Sequence, residues 1–143
     1  MNTQKPLVLD ANILIRAVLG RRVRQILRKY ADRAEFCAPE TCFAEAHKYV
    51  PGLARRKGMS VSETVSFMEE LELLVRRVDQ GLYRAYEQDA RRRMERRDSD
   101  DWPVAALALL LRCPIWTEDQ DFFGSGIAIW NTDLVELYLR QDS

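Results

Sequence analysis

Acidic side chains recur at four places along this 143-residue chain, and together they admit one shared chemistry. Asp98, Asp100 and Asp101 fill three of four positions in RRDSDDWPVAALALLL, Asp10 ends PLVLD, Glu45 lies in ETCFAEAHKY, and Asp119 and Asp121 follow in PIWTEDQDF. Each has a bland explanation. Asp10 and Asp101 suit helix N-caps, whose carboxylates accept from free backbone amides. Asp119 and Asp121 suit a turn before Gly124, and Glu45 suits a solvated helix face. Gathered at one place, however, such acids would repel one another unless a cation neutralised them. Hard carboxylate oxygens favour Mg²⁺ or Mn²⁺. His47 is the only histidine, and two residues from Glu45 on a helix it points away from it. No GxGxxG, Walker A or GxSxG pattern is present. A carboxylate-held cation without those devices points to metal-assisted hydrolysis of a phosphodiester.

Whether the acids meet depends on the elements that carry them. LVL (7–9) is a short apolar run ending at Asp10, suited to a strand buried on both faces. ANILIRAVL then reads as a helix. The apolar positions Val23, Ile26, Leu27, Tyr30, Ala31 and Ala34 mark one face of another. EFCA (35–38) fits a strand. Pro39 opens a helix through Tyr49, which Pro51 and Gly52 are expected to end, leaving ARRKG (54–58) as a basic loop. Ser60 with Glu63 forms a capping-box pattern, opening a helix that buries Phe67, Met68, Leu71, Leu74 and Val75. A short strand fits near Val75–Val78. Leu82, Tyr86, Ala90 and Met94 then recur on a helix leading to Arg91, Arg92, Arg93, Arg96 and Arg97. The next helix starts near Asp101 and ends at Cys113-Pro114. PIWT (114–117) and IAIW (127–130) read as strands, with Thr132 or Asp133 capping a last helix through Leu139. Short apolar strands alternating with helices indicate an α/β fold with a mainly parallel sheet. Ligand sites in such folds lie beyond the carboxyl ends of the strands, where Asp10 and Asp119 fall.

The bulk numbers exclude several classes. The chain carries 22 basic and 22 acidic side chains, so no global field forces a nucleic-acid or membrane reading. The distribution is uneven, with arginines clustered at 91–97 and six acids against one base over residues 117–143. Cys37, Cys42 and Cys113 are odd in number and lack CxxC spacing, which fits buried thiols in a reducing compartment. The N-terminus lacks signal-peptide anatomy, and VAALALLL is far shorter than the roughly twenty apolar residues of a membrane span. A single domain over residues 1–143, soluble and cytoplasmic, is expected.

VLDANILI, the helix around Glu45, DSDDWPVAALAL and IWTEDQDF in series resemble the PIN-domain family over nearly the whole chain. The resemblance implies a three-layer α/β/α sandwich with a mainly parallel central sheet and Mg²⁺- or Mn²⁺-dependent ribonuclease activity. It implies catalytic, metal-holding roles for Asp10, Glu45, Asp101 and Asp119, with Asp121 and Asp98 as supporting ligands. Asn12 stands where the family often has a small polar residue, and Thr117 would hydrogen-bond a ligand carboxylate. The DSDD run is denser in acid than many family members. Small examples of the family include VapC-type toxins inhibited by an antitoxin protein, so an antitoxin partner and a homodimer are further implications.

The resulting expectation is an endoribonuclease, the toxin of a toxin–antitoxin pair, with Arg91, Arg92, Arg93, Arg96 and Arg97 guiding RNA through phosphate contacts. A solvated helix face is the competing account of those arginines. The alternatives for the whole chain are a PIN-like module that binds RNA or protein without cutting and, ranked lower, a structure-specific DNA nuclease.

Overall fold

The computed structural model describes residues 4–95 and 99–141. Arg96, Arg97 and Asp98, named above as candidates, lie outside the described residues. Among the described residues, five strands form one sheet: β1 (Lys5–Leu9), β2 (Ala34–Pro39), β3 (Arg76–Val78), β4 (Ile115–Trp116) and β5 (Ile129–Trp130). All are parallel, in the order β3-β2-β1-β4-β5. The middle strand β1 pairs Leu7 with Phe36 on one side and Leu9 with Trp116 on the other. Leu7, Val8 and Leu9 are wholly buried, which is why this strand is a continuous apolar run instead of an alternating one.

The described residues form eight α-helices, seven between strands and the last after β5: α1 (Ala11–Leu19), α2 (Arg22–Lys29), α3 (Glu40–Arg56), α4 (Val61–Leu74), α5 (Gln80–Tyr83), α6 (Glu87–Met94), α7 (Trp102–Leu111) and α8 (Val135–Arg140). The order runs outward from β1 to β3, then restarts at β4 on the opposite side of β1. Right-handed crossovers in opposite directions place their helices on opposite faces. α1 packs with α3 and α4, whereas α7 packs on β1 and β2 and is covered by α6. The result is the expected three-layer α/β/α sandwich. α7 is apolar on every side because it lies between sheet and helix; all its residues from Trp102 to Ala108 are buried. None of the described helices is long and apolar enough to cross a membrane.

Several element boundaries differ from expectation. α2 stops at Lys29, and Ala34 already belongs to β2, because Tyr30 O accepts from the amides of Arg33 and Ala34 in a turn. The expected stop at Pro51 is absent: α3 continues to Arg56, with Val50 and Ala54 buried on either side of the proline. It ends where Gly58 takes φ +77. Ser60 caps α4 as its capping box suggests, accepting from Glu63 N at 3.1 Å, but only Leu71 is buried within that helix, with Val75 buried just after it. The helix expected through Leu82 is broken by a 3₁₀ turn at Arg84–Tyr86. This shifts the buried position by one, to Tyr83, and leaves Leu82 exposed. Before α8, Asn131 Oδ1 accepts from Leu134 N at 3.0 Å, the role expected of Thr132 or Asp133.

Pro51 lacks the amide that would bond to His47 O, so its place in α3 is held by packing against local cost. Pro51→Ala restores that donor at an exposed position. The variant is expected to be more stable by about 1–2 kcal/mol, the helix-propensity gain of about 3 kcal/mol being partly offset by a more flexible unfolded chain. Urea denaturation measures it, and a destabilised variant would show that the proline ring contributes packing of its own.

Candidate functional site

The strand order reverses between β1 and β4, and a crevice at such a switch point opens beyond the strand ends. Asp10 directly follows β1 and Thr117 directly follows β4. Asp10 does cap α1, as the bland reading proposed: Oδ1 accepts from Ile13 N at 3.0 Å. Its other oxygen accepts a hydrogen bond from the Thr117 hydroxyl. The same hydroxyl oxygen accepts from Asp119 N at 2.9 Å, and Asp119 Oδ1 accepts from Asp121 N at 2.9 Å. One line of bonds therefore runs from the first turn of α1 through Asp10 and Thr117 into the acidic loop. Both Asp10 and Thr117 are buried.

The loop folds into a 3₁₀ turn, Gln120–Phe122, whose buried Phe122 anchors it to the core. This places Asp119 and Asp121 against Asp101, at the start of α7. One carboxylate oxygen from each of the three lies within 4.8 Å of the others. Two ionised carboxylates at that separation repel by roughly 3 kcal/mol at an effective dielectric constant of 20, before solvent screening. A small divalent cation removes that penalty, and three convergent, half-buried carboxylates match the oxygen ligation of Mg²⁺ or Mn²⁺. The donor set therefore fits such an ion.

Asp10 and Glu45 stand outside this group of three. Glu45, exposed on α3, borders a cavity of about 320 Å³ together with Asp100, Asp101 and Cys42. Cys42 precedes Glu45 by three residues and so shares its helix face. Burial pushes the Cys42 thiol well above the ordinary range, and the charges of Asp10, Glu45 and Asp101 push it the same way. The four groups thus face one region, and the helical i, i+3 spacing was the signal that Cys42 belongs to this wall. Asp101 precedes α7 without the side-chain cap expected of it. Asn12 is exposed on the first turn of α1. His47 points elsewhere, 3.0 Å from Glu72 Oε1.

The described arginines are engaged. Arg91 bonds Glu87 at 2.8 Å and lies over the Trp102 ring, 5.2 Å from its centroid. Arg92 bonds Asp89 at 2.8 Å. Arg93 is half-buried: it reaches Asp89 at 3.1 Å and donates to Ser125 O at 2.8 Å, tying α6 to the acidic loop. Its guanidinium occupies the space a Cβ at Gly126 would need, 2.6 Å away.

Asp10 carries the electrostatic strain of the site. Burial raises its pKa from 3.8 to about 6, against the opposing bonds from Thr117 and Ile13, while Asp119 and Glu118 raise it further. The folded chain therefore holds this proton more tightly than the unfolded chain. Stability of the metal-free protein should fall as pH rises from about 4 to about 6, by about 3 kcal/mol, and level off above. Asp10→Asn keeps the capping oxygen and removes the charge. In EDTA the variant is expected to outlast wild type in urea near pH 8, with the gap closing toward pH 4; a gap independent of pH would sink this account.

A family model described as "PIN domain" matches residues 8–140. No curated protein sequence matches the chain. Among solved structures, the fold is similar to VapBC2 from Rickettsia felis, a structure described as bound to a DNA fragment from their promoter. That match has a TM-score of 0.67 and 15% identity, covering 88% of this chain and 98% of that one. PAE2754 from Pyrobaculum aerophilum gives 0.69 at 14% identity, covering 96% and 90%. FitAcB from Neisseria gonorrhoeae gives 0.57 at 19% identity, covering 88% and 97%. At these identities the structures speak to the fold, but the family match spans all four acid-bearing stretches, from Asp10 to the loop after β4, and the chain belongs to the PIN-domain family.

Proposed function

We propose that this PIN domain is a metal-dependent endoribonuclease, hydrolysing RNA phosphodiester bonds as the toxin of a toxin–antitoxin pair. The observation that carries the reading is the convergence of Asp101, Asp119 and Asp121 beside the switch-point crevice. These three would hold Mg²⁺ or Mn²⁺, and Glu45 and Asp100 would complete the acidic wall from the side of α3 and the turn before α7. A divalent cation there supplies the acidity that activates water and the charge that stabilises a phosphodiester transition state. The Asp10 carboxylate is immobilised at both oxygens, and through Thr117 it fixes the backbone at Asp119. Geometry held in this way before substrate arrives needs no reorganisation during reaction. Arg91 and Arg92, exposed on α6, would meet RNA phosphates by exchanging their present acidic partners. Fold similarity to VapBC2 and FitAcB supports an antitoxin partner, whose binding would cover the same crevice.

The test is cleavage of a mixed RNA pool by purified protein in Mn²⁺, Mg²⁺ or EDTA, with thermal melting in parallel. Wild type is expected to cut only with metal and to melt several degrees higher when metal is added. Asp119→Asn is expected to lose at least two orders of magnitude in rate and most of the metal-linked rise in melting temperature. Asp10→Asn should lose comparable activity while remaining folded. No cutting by folded, inhibitor-free protein under any cation, together with no metal-linked stabilisation, would replace this reading with a non-catalytic binding module. Preferential cutting of DNA in competition would replace the substrate.

A further inference from the structure

We infer that the cavity on the far side of Asp119 is a nucleobase subsite, taking the base next to the scissile phosphate of single-stranded RNA. This inference rests on the nuclease reading above. The cavity, about 410 Å³, lies at the carboxyl ends of β4 and β5 and is bordered by Asp119, Gln120, Phe123, Trp130, Asn131 and Leu134. That volume is within the range of small-molecule sites and admits a purine. Because Asp119 also belongs to the carboxylate group, an occupant lies beside any phosphate held there.

The lining has the chemistry a base requires. Phe122 and Phe123 are adjacent, yet Phe122 is 1% exposed and Phe123 is 69% exposed. The turn buries one ring to hold the loop and turns the other outward. Leaving a phenyl ring in water forgoes about 2 kcal/mol of burial, which a flat aromatic partner would recover. Trp130 is steadied by Tyr138, at 6.0 Å between centroids. Asn131 Oδ1 accepts from Leu134 N, which orients the amide and leaves its NH₂ group as a donor. Gln120, exposed, brings both a donor and an acceptor. Sequence-specific RNA recognition uses this combination, with stacking on an aromatic face and hydrogen bonds to the base edge.

The charges lining this cavity, Glu118 and Asp119, are acidic, and it is the basic surface beyond Glu118 that would take the next phosphate of a strand. Glu118 separates this cavity from a second, of about 310 Å³, bordered by Arg16, Arg21 and Arg22. Arg22 is paired with Asp133 at 2.6 Å. Carboxylates for one phosphate, an aromatic cavity, then a basic border follow the phosphate–base–phosphate alternation of a single strand. The subsite places specificity at the edge of β5 and not on the arginines of α6.

The full chain in EDTA can be titrated with the four nucleoside 5′-monophosphates while tryptophan emission is recorded, and with a labelled single-stranded RNA while anisotropy is recorded. Saturable quenching by at least one mononucleotide is expected, and Phe123→Ala should abolish it and weaken RNA binding on the order of 5- to 100-fold. The melting temperature of Phe123→Ala should match wild type, since the ring is exposed. In Mn²⁺, Gln120→Ala should redistribute cleavage positions across an RNA pool. Unchanged RNA affinity in Phe123→Ala with unchanged cleavage positions in Gln120→Ala overturns the subsite, as does loss confined to binding of a protein partner. Base binding through Phe123 by a protein that cuts nothing keeps the subsite and removes the nuclease reading. Metal-dependent cutting at unaltered positions by both variants does the reverse.

Discussion

A buried carboxylate between two parallel strands governs the rest of this structure. Among the described residues, Asp10 is held by one backbone amide and one hydroxyl, both neutral donors. Those bonds lower its pKa but burial outweighs them, and the nearby acids add to the cost. The fold tolerates this because each donor serves a second purpose. The amide begins α1, and the Thr117 hydroxyl oxygen also receives Asp119 N, so loosening Asp10 would loosen the acidic loop as well. Ground-state discomfort at one carboxylate is thus coupled to the ordering of Asp119 and Asp121.

The same coupling explains the answer to the DSDD stretch. Asp101 makes no side-chain cap to α7 because the 3₁₀ turn at Ser99–Asp101 holds it at φ −82 and ψ 7 instead of the extended conformation of a capping residue. Its carboxylate therefore joins Asp119 and Asp121, while Asp100 borders the cavity shared with Glu45. One dense run serves two walls of the crevice, which a single acid at that place would not do. The apolar segment after it anchors both by burying Trp102 through Ala108 between sheet and helix.

What was legible in the sequence follows from the range of the forces involved. Periods and caps are local, so α1, β1 and the Ser60 cap were readable from a few neighbouring residues. Pro51 was misleading because burial of Val50 and Ala54 against the rest of the fold overrides a local helix breaker. The shift from Leu82 to Tyr83 came from a 3₁₀ turn that no periodic pattern announces. In the site, strand ends pointed to Asp10 and Asp119, the dense DSDD run and the helix after β2 offered Asp101 and Glu45, and the family resemblance gave all four their expected roles. The Asp10–Thr117–Asp119 line depends on β1 lying beside β4, a pairing across more than a hundred residues that spacing cannot reveal. The outward turn of Phe123 was equally invisible, since its neighbour is the same residue type and is buried.

Arg93 and Gly126 carry a consequence for how such a chain can drift in sequence. The guanidinium fills the volume above Gly126, and Gly126 also takes φ +82, where side chains are strained. Neither position can change alone without disturbing the tie between α6 and Ser125 O. Across relatives, a side chain at 126 should therefore accompany a shorter residue at 93, making the pair a covarying signature of how this loop is braced and separating lineages that brace it otherwise.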